Sequence, residues 1–161
     1  MNTFKNIIAA LLIAGASAIP AAATVQAQSP VTLEGDVKAV KTVSDADGNQ
    51  TTQLVAPDVI VPGDRLLFTT QYANNGAEPA DNFVITNQVP AAVRLAPDAS
   101  AELTVSVDGG TTWGALSSLT VTDESGATRA ATGDDVTHIR WTLASIAPGE
   151  TGSVEYPAII R

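Results

Sequence analysis

Residues 61–95, VPGDRLLFTTQYANNGAEPADNFVITNQVPAAVRL, decide the fold class of this chain. Pro62-Gly63-Asp64 couples proline's fixed φ to glycine's access to positive φ, the chemistry of a type II turn. From there Leu66, Phe68, Thr70 and Tyr72 alternate with Leu67, Thr69, Gln71 and Ala73, a period of two that marks a β-strand. Asn74-Asn75-Gly76 breaks the pattern, and Phe83, Ile85 and Val89 resume it. Phe68, Tyr72 and Ile85 are therefore expected in a core between sheets.

The same period extends in both directions. Val31, Leu33, Val37 and Ala39 share one face of a first strand, which leads to the turn Asp45-Ala46-Asp47-Gly48-Asn49 and a return strand around Gln53-Leu54-Val55. Later strands are expected at Leu103–Ser106, Leu119–Val121, Val136–Leu143 and Ser153–Ile160. In the third of these, Ile139, Trp141 and Leu143 face one way, and Val136, His138, Arg140 and Thr142 the other. Trp141 is expected at the core's centre. Pro148-Gly149-Glu150 repeats the turn chemistry, and Pro157 requires that its strand lie at a sheet edge or that its missing donor point away from a partner. No window of eleven residues or more carries a helical period. The expectation is an all-β chain, an immunoglobulin-like antiparallel β-sandwich of roughly seven to nine strands.

The N-terminus reads as an address. Lys5 precedes the apolar segment IIAALLIAGASAI and the small-residue stretch PAAATVQAQS, the construction of a Sec-type signal peptide. Cleavage is expected after Ala27, with a second site at Ala16-Ser17-Ala18. Residues 1–27 are thus assigned to the signal and 28–161 to one domain, exported to the periplasm, the cell surface or the exterior. The apolar run is shorter than the ~20 residues of a spanning helix, so no stable membrane insertion is expected after cleavage. The chain has no cysteine, which excludes disulfide staples and a lipidated anchor. With 17 acidic against 8 basic residues, its net charge of −9 disfavours nucleic acid and anionic lipid as partners.

Taken in order, Val61-Pro62-Gly63-Asp64, the strand ending Asn74-Asn75-Gly76, the segment Asn82 to Pro90 and the closing Trp141…Ala147-Pro148-Gly149-Glu150 resemble the bacterial surface-protein repeat called domain of unknown function 11. The resemblance runs from about Val37 to Ile160. It implies an immunoglobulin-type module of exported and cell-surface proteins with no catalytic residues to carry over. Asn87 departs from the family, where Asp is frequent, and one module is present instead of an array.

Ser106-Val107-Asp108-Gly109-Gly110-Thr111-Thr112-Trp113 is similar to the Asp-box of sialidase propellers. In that turn the Asp bonds amides, glycine permits the reversal, and Trp packs beneath it. Asp108, Gly110 and Trp113 are therefore expected to be structural, as are Pro62, Gly63, Asp64, Pro148 and Gly149. His138 is the one histidine, with no nucleophile elbow and no phosphate loop elsewhere, so no enzyme and no cofactor are expected. Asp45, Asp47 and Asn49 offer alternating oxygens to calcium, without the glycine and glutamate positions of an EF-hand. The functional expectation is a non-catalytic secreted or cell-envelope module for structure or adhesion, acting through protein partners or self-association. The alternative is an extracellular carbohydrate- or calcium-binding module. In a sharper form of the first, the segment from Ser29 to Ala39 completes a neighbour's sheet, but the simpler pairing within its own domain is preferred, because sequence-adjacent strands usually pair.

Overall fold

The computed structural model describes residues 30–44 and 47–161, so the expected signal peptide at 1–27, Ser29 and Asp45 lie outside the described residues. Among the described residues eleven strands follow one another: β1 (Val31–Ser44), β2 (Gln50–Val55), β3 (Arg65–Asn74), β4 (Ala80–Gln88), β5 (Val93–Leu95), β6 (Thr104–Ser106), β7 (Gly114–Ala115), β8 (Thr120–Thr122), β9 (Thr128–Ala130), β10 (His138–Ile146) and β11 (Thr151–Ile160). The expected count of seven to nine is too low. The strands without a sequence signal, β5, β7 and β9, are two or three residues long, too short to display a period.

The chain is all-β and its sheets are antiparallel. One sheet has the order β2-β1-β3-β11-β5 and the other β4-β10-β6-β7, with β8 and β9 as a separate hairpin. Between the two larger sheets lies one core, contributed by Ala39, Leu66, Tyr156 and Ala158 from the first and Val105 and Ile139 from the second. This is the sandwich arrangement, with alternate residues of each strand turned inward.

Registers show why the alternation points as it does. Leu66, Phe68, Thr70, Tyr72 and Asn74 on β3 oppose Ala158, Tyr156, Val154 and Gly152 on β11 and Ala39, Val37, Gly35, Leu33 and Val31 on β1. Tyr156, 1% exposed, is the largest fully buried side chain. It stacks on Phe68 at 4.9 Å between centroids and meets Trp141 at 6.3 Å across the sheets. Trp141 is only partly buried and packs against the core from its margin, so the core centres on Tyr156 and not, as expected, on Trp141. Burying an aromatic of this size stabilises by about 1.5–3 kcal/mol, and it pushes the Tyr156 hydroxyl up to about 12. Ile85 is buried, while Phe68 and Tyr72 are partly so. Val136 also differs from expectation: it precedes β10 and joins the core, leaving His138, Arg140 and Thr142 on the outer side.

Two chain crossings between the sheets occur at the same end of the sandwich. β3 passes to β4 through residues 75–79, and β10 passes to β11 through residues 147–150. Asn74, wholly buried, joins them. Its Nδ2 donates to the carbonyls of Glu78 at 2.9 Å and Ile146 at 2.8 Å, and its Oδ1 accepts from the Gly76 amide. Its backbone N–H donates to Glu150 O, and its carbonyl accepts from Gly149 N–H.

β11 lies inside its sheet, yet Pro157 is accommodated. Its carbonyl accepts from Ala96 N–H, so its hydrogen-free nitrogen points to the same side, beyond the end of the β5 ladder and away from β3.

Candidate interaction surfaces

The turn residues form two matched devices. In Val61-Pro62-Gly63-Asp64 the Asp64 amide donates to Val61 O, Gly63 has φ +94°, and the Asp64 carboxylate accepts from the Val61 amide. In Ala147-Pro148-Gly149-Glu150 the Glu150 amide donates to Ala147 O, Gly149 has φ +75°, and the Glu150 carboxylate accepts from the Ala147 amide. Each turn also pairs with a strand end, the first with Ile160 and the second with Asn74. Their acids are thus committed to closing turns.

The Ser106–Trp113 loop closes the β6–β7 hairpin. Asp108 Oδ1 accepts from the amides of Thr111 at 3.1 Å and Thr112 at 2.8 Å and from the Ser106 hydroxyl at 2.7 Å. These bonds favour the charged form, so the Asp108 carboxyl titrates well below the usual carboxylate range, the Thr112 amide contributing most. Gly109 and Gly110 have φ of +77° and +90°, and the Trp113 indole donates to the Gly110 carbonyl at 2.8 Å. Arg140 lies over the Trp113 ring, 4.2 Å from its centroid, and His138 meets that ring edge-on at 6.3 Å. With its N–H bonded and one face occupied by a guanidinium, Trp113 braces the loop against β10.

His138 Nδ1 is 3.1 Å from the Thr137 hydroxyl, which donates to Ser106 O and accepts from the Gly109 amide. That hydroxyl is part of the same loop support. Asp47 and Asn49 are exposed at the β1–β2 turn. Among the described residues no group of three or more His, Cys, Asp or Glu side chains is placed to hold a metal ion, and no helix is long and apolar enough to cross a membrane.

What the structure brings together instead is an open side of the sandwich, bordered by two sheet edges. Among the described residues β4 ends its sheet, paired only to β10. β1 meets β2 only from Ala39 onward, so among the described residues 31–38 have β3 on one side and no strand on the other. A cleft of about 580 Å³ runs between them, lined by Leu33, Val37, Phe68, Thr86, Asn87 and Tyr156 among others. Leu33 belongs to the inward register of β1 with buried Val31 and Ala39, yet it is 49% exposed because the second sheet does not extend over it. Asn87 Nδ2 spans the cleft floor, donating to Thr70 Oγ1 at 2.6 Å and tying β4 to β3 across the sheets.

Three residues that matter most here, Asn74, Tyr156 and Asn87, were not singled out by sequence for these roles. Tyr156 had a usable signal, since it alternates with Val154 and Ala158. For the segment from Ser29 to Ala39 the described residues follow the preferred pairing within its own domain, residues 31–39 of β1 opposing β3. Comparison of the chain with family models, curated proteins and solved structures finds no match.

Proposed function

We propose that this chain is an exported, non-catalytic structural or adhesion module that works through protein contacts, including contacts with copies of itself. The observation that carries this reading is the open side, where two sheet edges unpaired among the described residues flank a cleft and Leu33 is left half-exposed over the core aromatics. Unpaired edges present rows of N–H and C=O groups that template pairing with another strand, and proteins that avoid such pairing blunt their edges with Lys, Pro or bulges. β4, ADNFVITNQ, contains neither Lys nor Pro. The acidic surface and the cysteine-free core suit a soluble exported module, and the resemblance to domain of unknown function 11 belongs to the same reading. An exposed aromatic face would suit the carbohydrate alternative, and against that reading the Trp113 indole bonds Gly110 O and Arg140 lies over the ring.

Size-exclusion chromatography with light scattering on the exported protein, over a hundredfold concentration range, tests this. Mass that rises with concentration, or stable capture of one envelope protein, supports the module reading. A monomer with neither property, or a turnover lost on replacing His138, contradicts it.

A further inference from the structure

We propose that the flank of the sandwich away from the β4 cleft holds a binding site for a small apolar monocarboxylate, a fatty acid of medium chain length or an aryl carboxylate, with Arg94 as its counter-ion. The site lies apart from the open side and adds a ligand to the module reading.

Both sheet orders place it there. β5 ends the first sheet at the far end from β1 and β2, and β6 and β7 end the second at the far end from β4. Between these strands and the loops that follow β5 and β9 lies a cavity of about 500 Å³, within the range of about 300–1,000 Å³ typical of small-molecule sites. Its floor is part of the core: buried Leu95, Leu103 and Val105 line it, with Ala99, Leu116 and Ala131 packed against them. The short alanine side chains leave the space open.

Backbone bonds fix the walls. Ala99 N–H donates to Ala96 O and Leu103 N–H to Ser100 O, closing two successive turns, and Leu119 N–H donates to Leu116 O after the 3-10 turn at Leu116–Ser118. Ala131 N–H reaches Leu119 O and Leu95 N–H reaches Gly133 O, which bind the segment after β9 to the rest. A Cβ at Gly133 would strike the Leu95 carbonyl, so these two segments meet without a side chain between them. A cavity framed in this way spares its ligand the cost of ordering a loop.

Charge at the rim selects the ligand. Arg94 and Asp134 are the charged residues that line the cavity. Asp134 is already neutralised, since its Oδ1 accepts from Arg161 Nη1 at 2.9 Å and its carbonyl from Arg161 Nη2 at 2.6 Å. Asp98 and Asp135, adjacent to the lining in sequence, are likewise held, by Arg65 and Arg129. Arg94 is the exception. Among the described residues its side chain makes no hydrogen bond or ion pair, in a chain with 17 acidic against 8 basic residues. It alternates with buried Val93 and Leu95 on β5, so it stands at the cavity's margin and not on its apolar floor. That position suits an ion pair at the mouth, with the ligand's apolar body below. A carboxylate can meet a guanidinium through two parallel N–H···O bonds, whereas a neutral ligand would leave Arg94 unpaired and an amine would be repelled by it.

Titration of the isotope-labelled exported protein followed by NMR tests this, with decanoate and phenylbutyrate as probes and decanol and decylamine as controls. The expected result is saturable binding of a carboxylate, with amide shifts confined to residues 94–105, 116–117 and 131–134. The tighter of the two probes tells an alkyl from an aryl ligand. Arg94→Gln should weaken carboxylate binding about fivefold or more, the scale of a charge-assisted bond at a rim, and leave decanol unchanged. Ala131→Leu should fill the cavity and abolish binding at an unchanged melting temperature. Absence of saturable binding by either carboxylate overturns the proposal, as does decanol binding as tightly as decanoate, or undiminished carboxylate binding in Arg94→Gln or in folded Ala131→Leu. Shifts centred on Leu33, Phe68 and Asn87 would place the ligand in the β4 cleft and overturn it too. Self-association is read separately by light scattering, so failure here leaves the module reading intact.

Discussion

The Asn74 side-chain amide donates to the carbonyl of Ile146 at 2.8 Å, a buried bond between residues 72 apart that ties the two sheet crossings together. Because the same amide also reaches Glu78 O and its oxygen holds Gly76 N–H, one side chain satisfies three backbone groups where the chain changes sheets. Buried backbone groups without partners cost about 1–3 kcal/mol each, so the crossing depends on an amide of this size at this position.

Asn74→Ala should therefore lower stability by about 3 kcal/mol, since it strands Ile146 O and the Gly76 amide together. Urea unfolding followed by tryptophan fluorescence reads this directly. A loss below about 0.5 kcal/mol, the scale of an ordinary surface change, would show that the crossings hold without it.

Acid should destabilise the fold through two carboxylates. Asp108 is held well below the usual range, chiefly by the Thr112 amide, and Asp135 is likewise depressed, chiefly by Arg129, whose guanidinium makes bonds of 2.6 and 2.7 Å to it. Since both bind protons more weakly folded than unfolded, their contribution is complete above about pH 4 and disappears as pH falls through the folded values. Melting temperature measured from pH 7 to pH 2 should fall in that window, and the fall should be shallower in Asp108→Asn. An identical pH profile for that variant would remove Asp108 from the explanation.

Gly133→Ala tests a close approach. A Cβ there would collide with the Leu95 carbonyl oxygen, while the Gly133 carbonyl accepts from the Leu95 amide. The clash is with backbone, so neither side yields by a simple rotamer change. A destabilisation of about 1–3 kcal/mol is expected, the usual scale of overpacking, with the β5 amides the first to lose exchange protection.

Arg140→Ala should cost about 0.5–1 kcal/mol, the value of an exposed cation–π contact, and should uncover one face of Trp113. Its fluorescence should then become more accessible to iodide. Unaltered quenching would mean that the guanidinium does not cover the ring in solution.

How much of this was legible in the sequence varies with the physical range of each feature. The Pro-Gly turns and the Asp108 loop are closed by bonds within four residues, so local residue types identify them. The alternation of β3 was equally plain, since a buried face imposes a period of two. By its neighbours Asn74 is only part of a turn, because Asn-Asn-Gly has the same local chemistry whether the first Asn is exposed or wholly buried against Ile146. Leu33 was expected to face the core, and it does share that register. Its exposure depends on the reach of the opposite sheet, a property no single strand encodes. Strands β5 and β7 exist through pairing with β11 and β6, respectively, and have too few residues to announce themselves.

The most direct test of the open side as the working surface is hydrogen exchange on the exported protein at rising concentration, compared with Leu33→Asp, which places a charge in the cleft without touching a buried position. The account predicts that protection grows at β4 and at residues 31–38 as molecular mass rises, and that the substitution abolishes both changes. Association that protects other strands, or that proceeds equally in Leu33→Asp, would contradict it.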